Sequence, residues 1–387
     1  MSDYPKDWEV HKVSDFGNVV TGNTPSTSIK EYWNGNYTWI TPTDIESQIF
    51  MNVSERKLTL SGYNKSRKLR KGAVLVTCIA SIGKNCILDV DGSCNQQINA
   101  IEVNKKSYNL YIYYLMEFNK KTLENLAGIT ATKILKKDTF EKIEFTIPPL
   151  EEQKAIADTL MIFDKHIENL EKLIEKKKMI RDGAVEDLMT GKTRLDGFDG
   201  EWDEIKLNDF TEINPNSSKP NEFYYIDLES VQGKSILNKK RFNSNQAPSR
   251  AQRVAKRGDV FFQTVRPYQR NNVLFDLEKN DYVFSSGYAQ FRTSNSQKFL
   301  FQLIFKDDFV ESVLDRCTGT SYPSISPKEL GKIIINIPTD IKEQRAIASI
   351  LTSMDHEIEN LENEKAKIEK IKAGAMDDLL TGRVRLV

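Results

Sequence analysis

The sequence predicts an α+β protein. Two mixed α/β globular domains stand in tandem repeat, separated and followed by long helices that form an antiparallel coiled coil with pseudo-two-fold symmetry. Three observations carry this expectation: an internal repeat, a heptad seam inside it, and strand-like runs on either side. The repeat aligns Glu152–Leu195 with Glu343–Leu386 at an offset of 191, without a gap, and 22 of the 44 positions are identical. "EQKAIADTL" matches "EQRAIASIL", and "DGAVEDLMTGKTRL" matches "AGAMDDLLTGRVRL". Upstream, "KIEFTIP" (Lys142–Pro148) matches "KIIINIP" (Lys332–Pro338), "WEVHKVSDF" matches "WDEIKLNDF", and "KGAVLV" matches "RGDVFF". A fixed-offset repeat of this kind marks a duplicated architecture.

The first globular domain spans 1–149, and its helix spans 150–195. The second domain spans 196–339, with its helix at 340–387. Within each domain "GAVLVTCIA", "KIEFTIP", "YTWITPTDI", "GDVFFQTV" and "YAQFRTS" read as strands, bounded by turn residues. "YNLYIYYLMEF" (Tyr108–Phe118) and "SQKFLFQLIF" (Ser296–Phe305) read as short helices at matching places. The loops differ between the halves: "GNVVTGNTPSTS" stands where the second half has "TEINPNSSKPNE". Two equivalent scaffolds thus carry two different surfaces.

In the first long helix apolar residues fall at Ile156, Leu160, Phe163, Ile167, Leu170 and Ile174, the 4-3 spacing of a heptad seam. The second has Ile347, Leu351, Met354, Ile358 and Leu361; Lys365 interrupts, and Ile368 resumes. Each helix is roughly 60 Å long if continuous. So narrow a stripe needs a partner, and the other copy supplies it. The alternatives are a fold-back onto each helix's own domain or dimerisation with another chain. Pro148 and Pro338 precede the helices, and Gly191 and Gly382 sit where a left-handed glycine ends one. Gly183 and Gly374 lie inside the pattern, where they kink the helix or permit close packing.

Lys+Arg and Asp+Glu number 55 each, so net charge selects no partner. The distribution is more informative. Eight basic and no acidic residues lie between Arg56 and Lys84. Ten basic residues and one acid, Asp259, lie between Lys234 and Arg270. Both runs flank the matching strand, giving two candidate footprints for phosphates. Within them the candidate contacts are Arg67, Lys68, Arg70 and Lys84, and Lys240, Arg241 and Arg250. Side chains suited to base edges are Gln263, Arg266, Tyr268, Gln269 and Arg270, and in the first half Thr41, Thr43, Asp44, Gln96 and Gln97. Any one of these alone is equally an ordinary polar loop residue.

Catalytic signatures are missing. "TGKT" (Thr190–Thr193) has Glu186 where a phosphate loop needs glycine, and the second copy reads "TGRV". "IPPL" (Ile147–Leu150) lacks the polar first and aromatic last residues of the adenine-methyltransferase motif. Three histidines find no triad partners. Asp164 and Glu168 read as surface charge beside the seam. Cys78, Cys86, Cys94 and Cys317 form no metal-ligand spacing and are expected to be reduced thiols. The N-terminal "MSDYPKDWEV" has no apolar core, and "AVLVTCIASI" (Ala73–Ile82) is too short to cross a bilayer.

"IPPLEEQKAIADTLMIFDKHIENLE" with "LMTGKTRL", and "IPTDIKEQRAIASILTSMDHEIENLE" with "LLTGRVRL", resemble the two helical regions of the specificity subunit of type I restriction-modification systems. "GNTPSTS" with "EYWNGNYTWITPTDI", and "SSGYAQFR", resemble stretches of its target recognition domains, and Tyr288 in the last is a candidate DNA contact. The resemblance implies that each globular half docks in a major groove of double-stranded DNA and reads one half of a bipartite target. The helices would form the spacer between half-sites. Two modification (methyltransferase) subunits would bind equivalently, carrying S-adenosylmethionine and methylating adenine. Restriction (motor/nuclease) subunits would use ATP and Mg. No cofactor or catalysis would belong to this chain, and the compartment would be the bacterial or archaeal cytoplasm. The rivals are a coiled-coil adaptor that binds only proteins, and a self-sufficient restriction enzyme.

Overall fold

The structure is a computed structural model that describes residues 4–46, 48–127, 133–279, 281–319 and 321–386. The chain divides into two compact units, Met1–Glu171 with Glu364–Val387, and Lys172–Asn363. Each long helix, Leu150–Leu188 and Ile341–Leu380, therefore gives its first half to one unit and its second half to the other.

In the first unit, Glu9–Lys12 pairs antiparallel with Glu144–Ile147, the strand that leads into the first long helix. A five-stranded sheet follows in the order Gly17–Thr21, Ile98–Val103, Val74–Thr77, Asn85–Leu88, Phe50–Met51. Val74–Thr77 lies mid-sheet and is buried on both faces, as its unbroken apolar run requires. A three-stranded sheet of Lys57–Leu58, Trp33–Ile40 and Gly92–Cys94 carries the aromatic loops. Helix Asn109–Phe118 buries seven of its ten residues in the core.

The second unit repeats the frame. Trp202–Lys206 pairs with Ile334–Pro338. Tyr288–Arg292 and Val260–Gln263 are central in one four-stranded sheet, flanked by Glu212–Ile213 and Val273–Leu274. A second four-stranded sheet runs Lys240–Asn243, Glu222–Ile226, Tyr282–Ser285, Ala251–Val254.

The heptad stripes do two jobs. Ile156 and Leu160 lie in the first unit's core together with Leu379 and Leu380 from the end of the second long helix. Ile347 and Leu351 lie in the second unit's core with Leu188 and Met189 from the end of the first. Phe163 and Met354 pack half-buried against those cores. The outer seam positions thus serve the domain cores and meet the end of the other long helix there. Ile167, Leu170 and Ile174, and Ile358, Leu361 and Ile368, remain in the helical stretch beyond, with Leu170, Ile174 and Ile358 buried.

The two helix segments in each unit run antiparallel, as the ion pairs record. In the first unit Asp164 meets Lys372 at 2.5 Å and Glu171 meets Lys365 at 2.9 Å. In the second, Lys177 meets Glu357 at 2.6 Å and Arg181 meets Asp355 at 3.0 Å. Lys365, which breaks the apolar seam, is held by Glu171 and Glu369. Gly183 and Gly374 lie inside single helices, and a Cβ at either would meet open space, so close packing does not explain them. Gly191 and Gly382 have φ of 72° and 73°, and the Trp202 ring and Pro5 crowd the space a Cβ would need.

Two motifs at opposite ends of the repeat close on each other. Arg194 grips Glu343 through two hydrogen bonds of 2.7 and 2.8 Å, and Arg385 grips Glu152 at 2.6 and 2.7 Å. Both carboxylates are 1% exposed. A buried charge is tolerated only when paired and hydrogen-bonded, and the forked guanidinium does both. Arg385 also holds Asp7, whose carboxyl is lowered chiefly by that hydrogen bond. The neighbouring glutamines act alike: Gln153 donates to the Pro148 carbonyl and accepts from Tyr108 N, and Gln344 donates to the Pro338 carbonyl and accepts from Ser296 N.

Asp164 is not free surface charge. It accepts from Tyr114 Oη at 2.6 Å and from Lys372. Its repeat mate Asp355 accepts from Gln302, Lys234 and Arg181 at 2.9, 2.6 and 3.0 Å. Burial alone raises the Asp355 carboxyl, but the hydrogen bonds from Gln302 and Lys234 and the charges of Lys234 and Arg181 outweigh it and hold it low. The unfolded chain thus takes up a proton here before the folded one, so this stability is present above the ordinary carboxylate range and lost on acidification. Between about pH 6 and pH 3 the melting temperature of Asp355→Asn is expected to fall less than that of the parent protein. Parallel falls in both proteins would show that the contact contributes nothing.

Candidate nucleic-acid interface

Ion pairing sorts the two basic runs. In the first, Lys71 meets Asp89 at 2.9 Å and Arg70 meets Glu102 at 3.5 Å, so these charges are partly neutralised within the fold. Arg56 lies over the Trp33 ring at 3.8 Å. Lys57, Lys65, Arg67, Lys68 and Lys84 have no carboxylate within salt-bridge distance among the described residues. Hydrogen bonds tie several of them to one cluster of loops. Arg67 donates from its side chain to the Thr21 carbonyl and from its backbone to Asn23 Oδ1, both at 2.6 Å. Asn23 donates to the Lys65 carbonyl at 3.0 Å. Thr24 donates to Gln96, and Asn95 donates to Gln97 at 2.9 Å. Lys65, Arg67, Lys68, Thr24 and Gln96 are exposed around this junction.

Asp44 is a turn brace. It accepts from Thr41 N, Thr41 Oγ1 and Glu55 N at 2.6–2.7 Å, which occupies both carboxylate oxygens. Thr41 and Thr43 share a hydrogen bond of 2.8 Å at the same turn. Lys84 reaches the Ile45 carbonyl at 3.3 Å.

In the second run the fold uses more of the charge. Arg241 meets Glu222 and Arg270 meets Asp307, both at 2.5 Å, and Lys240 lies 3.9 Å from Asp227. Arg257 pairs with Asp276 and Glu278. Asp259, the one acid in the run, is 1% exposed and accepts from the buried Gln290 and the half-buried Arg292. Arg250 and Lys256 are exposed, and among the described residues neither side chain has a carboxylate within salt-bridge distance.

Two candidate base readers are corrected. Gln263 is 1% exposed. Its amide donates to the Val265 carbonyl and to Gln269 Oε1, at 2.7 and 2.8 Å, so it braces the loop from inside. Tyr288 is also 1% exposed, edge-on to Phe261 and Phe284 in an aromatic core. Each sits on a central strand whose two faces are both covered, so either orientation buries the side chain. Tyr268 and Gln269 are exposed on the turn Pro267–Gln269, which Arg266 and Arg270 flank.

Among the described residues no three His, Cys, Asp or Glu come together to hold an ion. Burial pushes the Cys78 and Cys86 thiols up to about 11 and about 12, and Cys94 higher still, so none is a ready nucleophile. No helix among the described residues is long and apolar enough to cross a membrane.

Two units on one plan match a known family. The type I restriction modification DNA specificity domain matches twice, over residues 5–177 and 199–370, and the chain belongs to that family. It is 27% identical over 406 residues to the type I restriction enzyme MjaVIII specificity subunit of Methanocaldococcus jannaschii, covering 99% of this chain and 94% of the relative. The MjaIX specificity subunit of the same organism is 32% identical over 250 residues, 59% of this chain and 57% of the relative. In fold the chain is similar to the crystal structure of a type I restriction-modification S subunit from M. genitalium, with a TM-score of 0.62 at 18% identity over 96% of both chains.

The exposed, unpaired lysines give the simplest test of the first loop cluster. Lys65→Ala is expected to weaken binding to all duplexes alike and to reduce the slope of log affinity against log salt by about 1. An unchanged slope would remove Lys65 from the interface.

Proposed function

We propose that this chain is the DNA-reading, non-catalytic subunit of a type I restriction-modification complex. The observation that carries this reading is the double match to a DNA specificity domain, one match over each half of the duplicated chain. Each globular half reads one part of a bipartite target in double-stranded DNA. The halves share a frame and differ in their loops, as two unlike half-sites require. The base-edge candidates left exposed, Gln96 in one unit and Tyr268 and Gln269 in the other, read bases, and exposed lysines and arginines supply phosphate contacts. The long helices set the distance between half-sites and present equivalent surfaces to two modification subunits.

Those subunits bind S-adenosylmethionine and methylate adenine. Restriction subunits, where the complex includes them, bind ATP and Mg and cut. This chain holds none of these groups and works in the cytoplasm.

Expressing the chain with its modification subunit and mapping methylated adenines across a genome tests the proposal. A single split motif around an unspecified gap is expected; no new methylation in the presence of a stable complex supports the protein-only adaptor instead. The ruler has a sharper test. Seven residues inserted near Leu170–Ile174, and seven at the matching place in the second helix, keep the heptad and add about 10 Å. The gap is expected to lengthen by about three base pairs with both half-sites unchanged. An unchanged gap would refute the ruler.

A further inference from the structure

The two units share a loop frame that carries different chemistry. In the first, Cys78 N donates to the Gln97 carbonyl, Leu135 N to the Cys78 carbonyl, and Ala80 N to the Lys133 carbonyl, at 2.8, 2.8 and 3.1 Å. In the second, Thr264 N donates to the Gly287 carbonyl, Ile325 N to the Thr264 carbonyl, and Arg266 N to the Pro323 carbonyl, at 2.9, 3.1 and 2.8 Å. Ala80 and Arg266 thus occupy the same place, just beyond a central strand and tied to a second loop. Both have positive φ, 62° and 54°. Side-chain-bearing residues other than Asn and Asp rarely pay for that conformation, and strain of this kind gathers at functional sites.

At this shared place the side chain changes from a methyl group to a guanidinium. Arg266 lies over the Tyr322 ring, 4.4 Å from its centroid. Among the described residues nothing accepts a hydrogen bond from its side chain. Arg270, the other left-handed arginine of the turn, is by contrast pinned to the Phe305 carbonyl and Asp307. Gln263 and Asn272 brace the turn from beneath, with Gln263 N donating to Asn272 Oδ1 at 2.8 Å. Tyr322 is 63% exposed and Arg266 half-buried, so the pair stands at the surface on a fixed base.

We infer that Arg266, held over Tyr322, reads a guanine in the half-site of the second unit, and that Tyr322 is its positioning residue. A guanidinium lying on an aromatic face keeps its planar fork free to bond guanine O6 and N7 together. The inference rests on the DNA-reading function proposed above and names one of its specificity-determining contacts.

The test selects bound duplexes from a fully randomised library, using the chain in complex with its modification subunit. The parent complex is expected to enrich a split motif with a guanine in one half. Arg266→Ala relaxes that single position by roughly 5- to 150-fold and leaves the other positions alone. Arg266→Lys, which keeps the charge and loses the fork, relaxes the same position. Tyr322→Ala does so too, with an unchanged melting temperature, while Tyr322→Phe keeps the guanine. A motif unaltered by Arg266→Ala overturns the inference. So does a uniform loss on all sequences, which would make Arg266 a phosphate contact. If the parent complex enriches no motif, the proposed function itself fails and the inference falls with it.

Discussion

A buried carboxylate at the start of each long helix constrains the rest of the structure. Glu152 and Glu343 are almost wholly enclosed, and a carboxylate there is tolerable only with a cation against it. The cation comes from just beyond the end of the other long helix: Arg385 for Glu152, Arg194 for Glu343. Where the arginine goes, its helix end follows. Leu379 and Leu380 enter the first unit's core, and Leu188 and Met189 enter the second's. Neither core is complete within one copy of the repeat. The motif at the end of the repeat is written twice because two cores need it.

Fixing the frame in this way leaves the loops free to differ. Backbone hydrogen bonds around Ala80 and Arg266 are the same, while the side chains are unrelated. The electrostatic picture follows a similar division. Arg241, Arg257 and Arg270 are matched by carboxylates of the fold, and among the described residues Lys65, Arg67 and Lys68 meet none. A basic run along a chain is therefore not yet a basic surface; the carboxylates that neutralise part of it come from far away in sequence.

Much of the frame was legible because it rests on local pattern. The repeat, the heptads, Pro148 and Pro338, Gly191 and Gly382, and the central strands each carry a signal within a few residues. What escaped depends on contacts between distant residues. Asp164 and Asp355 look like solvated charge on a helix, and only the fold brings Tyr114 and Gln302 to them. Gln263 and Tyr288 look like polar and aromatic loop chemistry, but covered sheet faces bury them. Tyr322 stands in a stretch with no periodicity at all. The Glu152–Arg385 and Glu343–Arg194 pairs did leave a trace, since all four residues are identical in the aligned repeat. Identity at a glutamate and an arginine some forty positions apart was the available sign that they act together.

The crossed completion of the cores is the central claim, and hydrogen exchange of the whole chain tests it most directly. Leu379→Ala with Leu380→Ala removes the helix end from the first core only. Amides of Val13–Phe16 and Leu110–Met116, hundreds of residues away in sequence, are then expected to exchange faster, while Val260–Gln263 and Phe299–Leu303 keep their protection. Faster exchange confined to the mutated helix end, with the first core unchanged, would contradict the account.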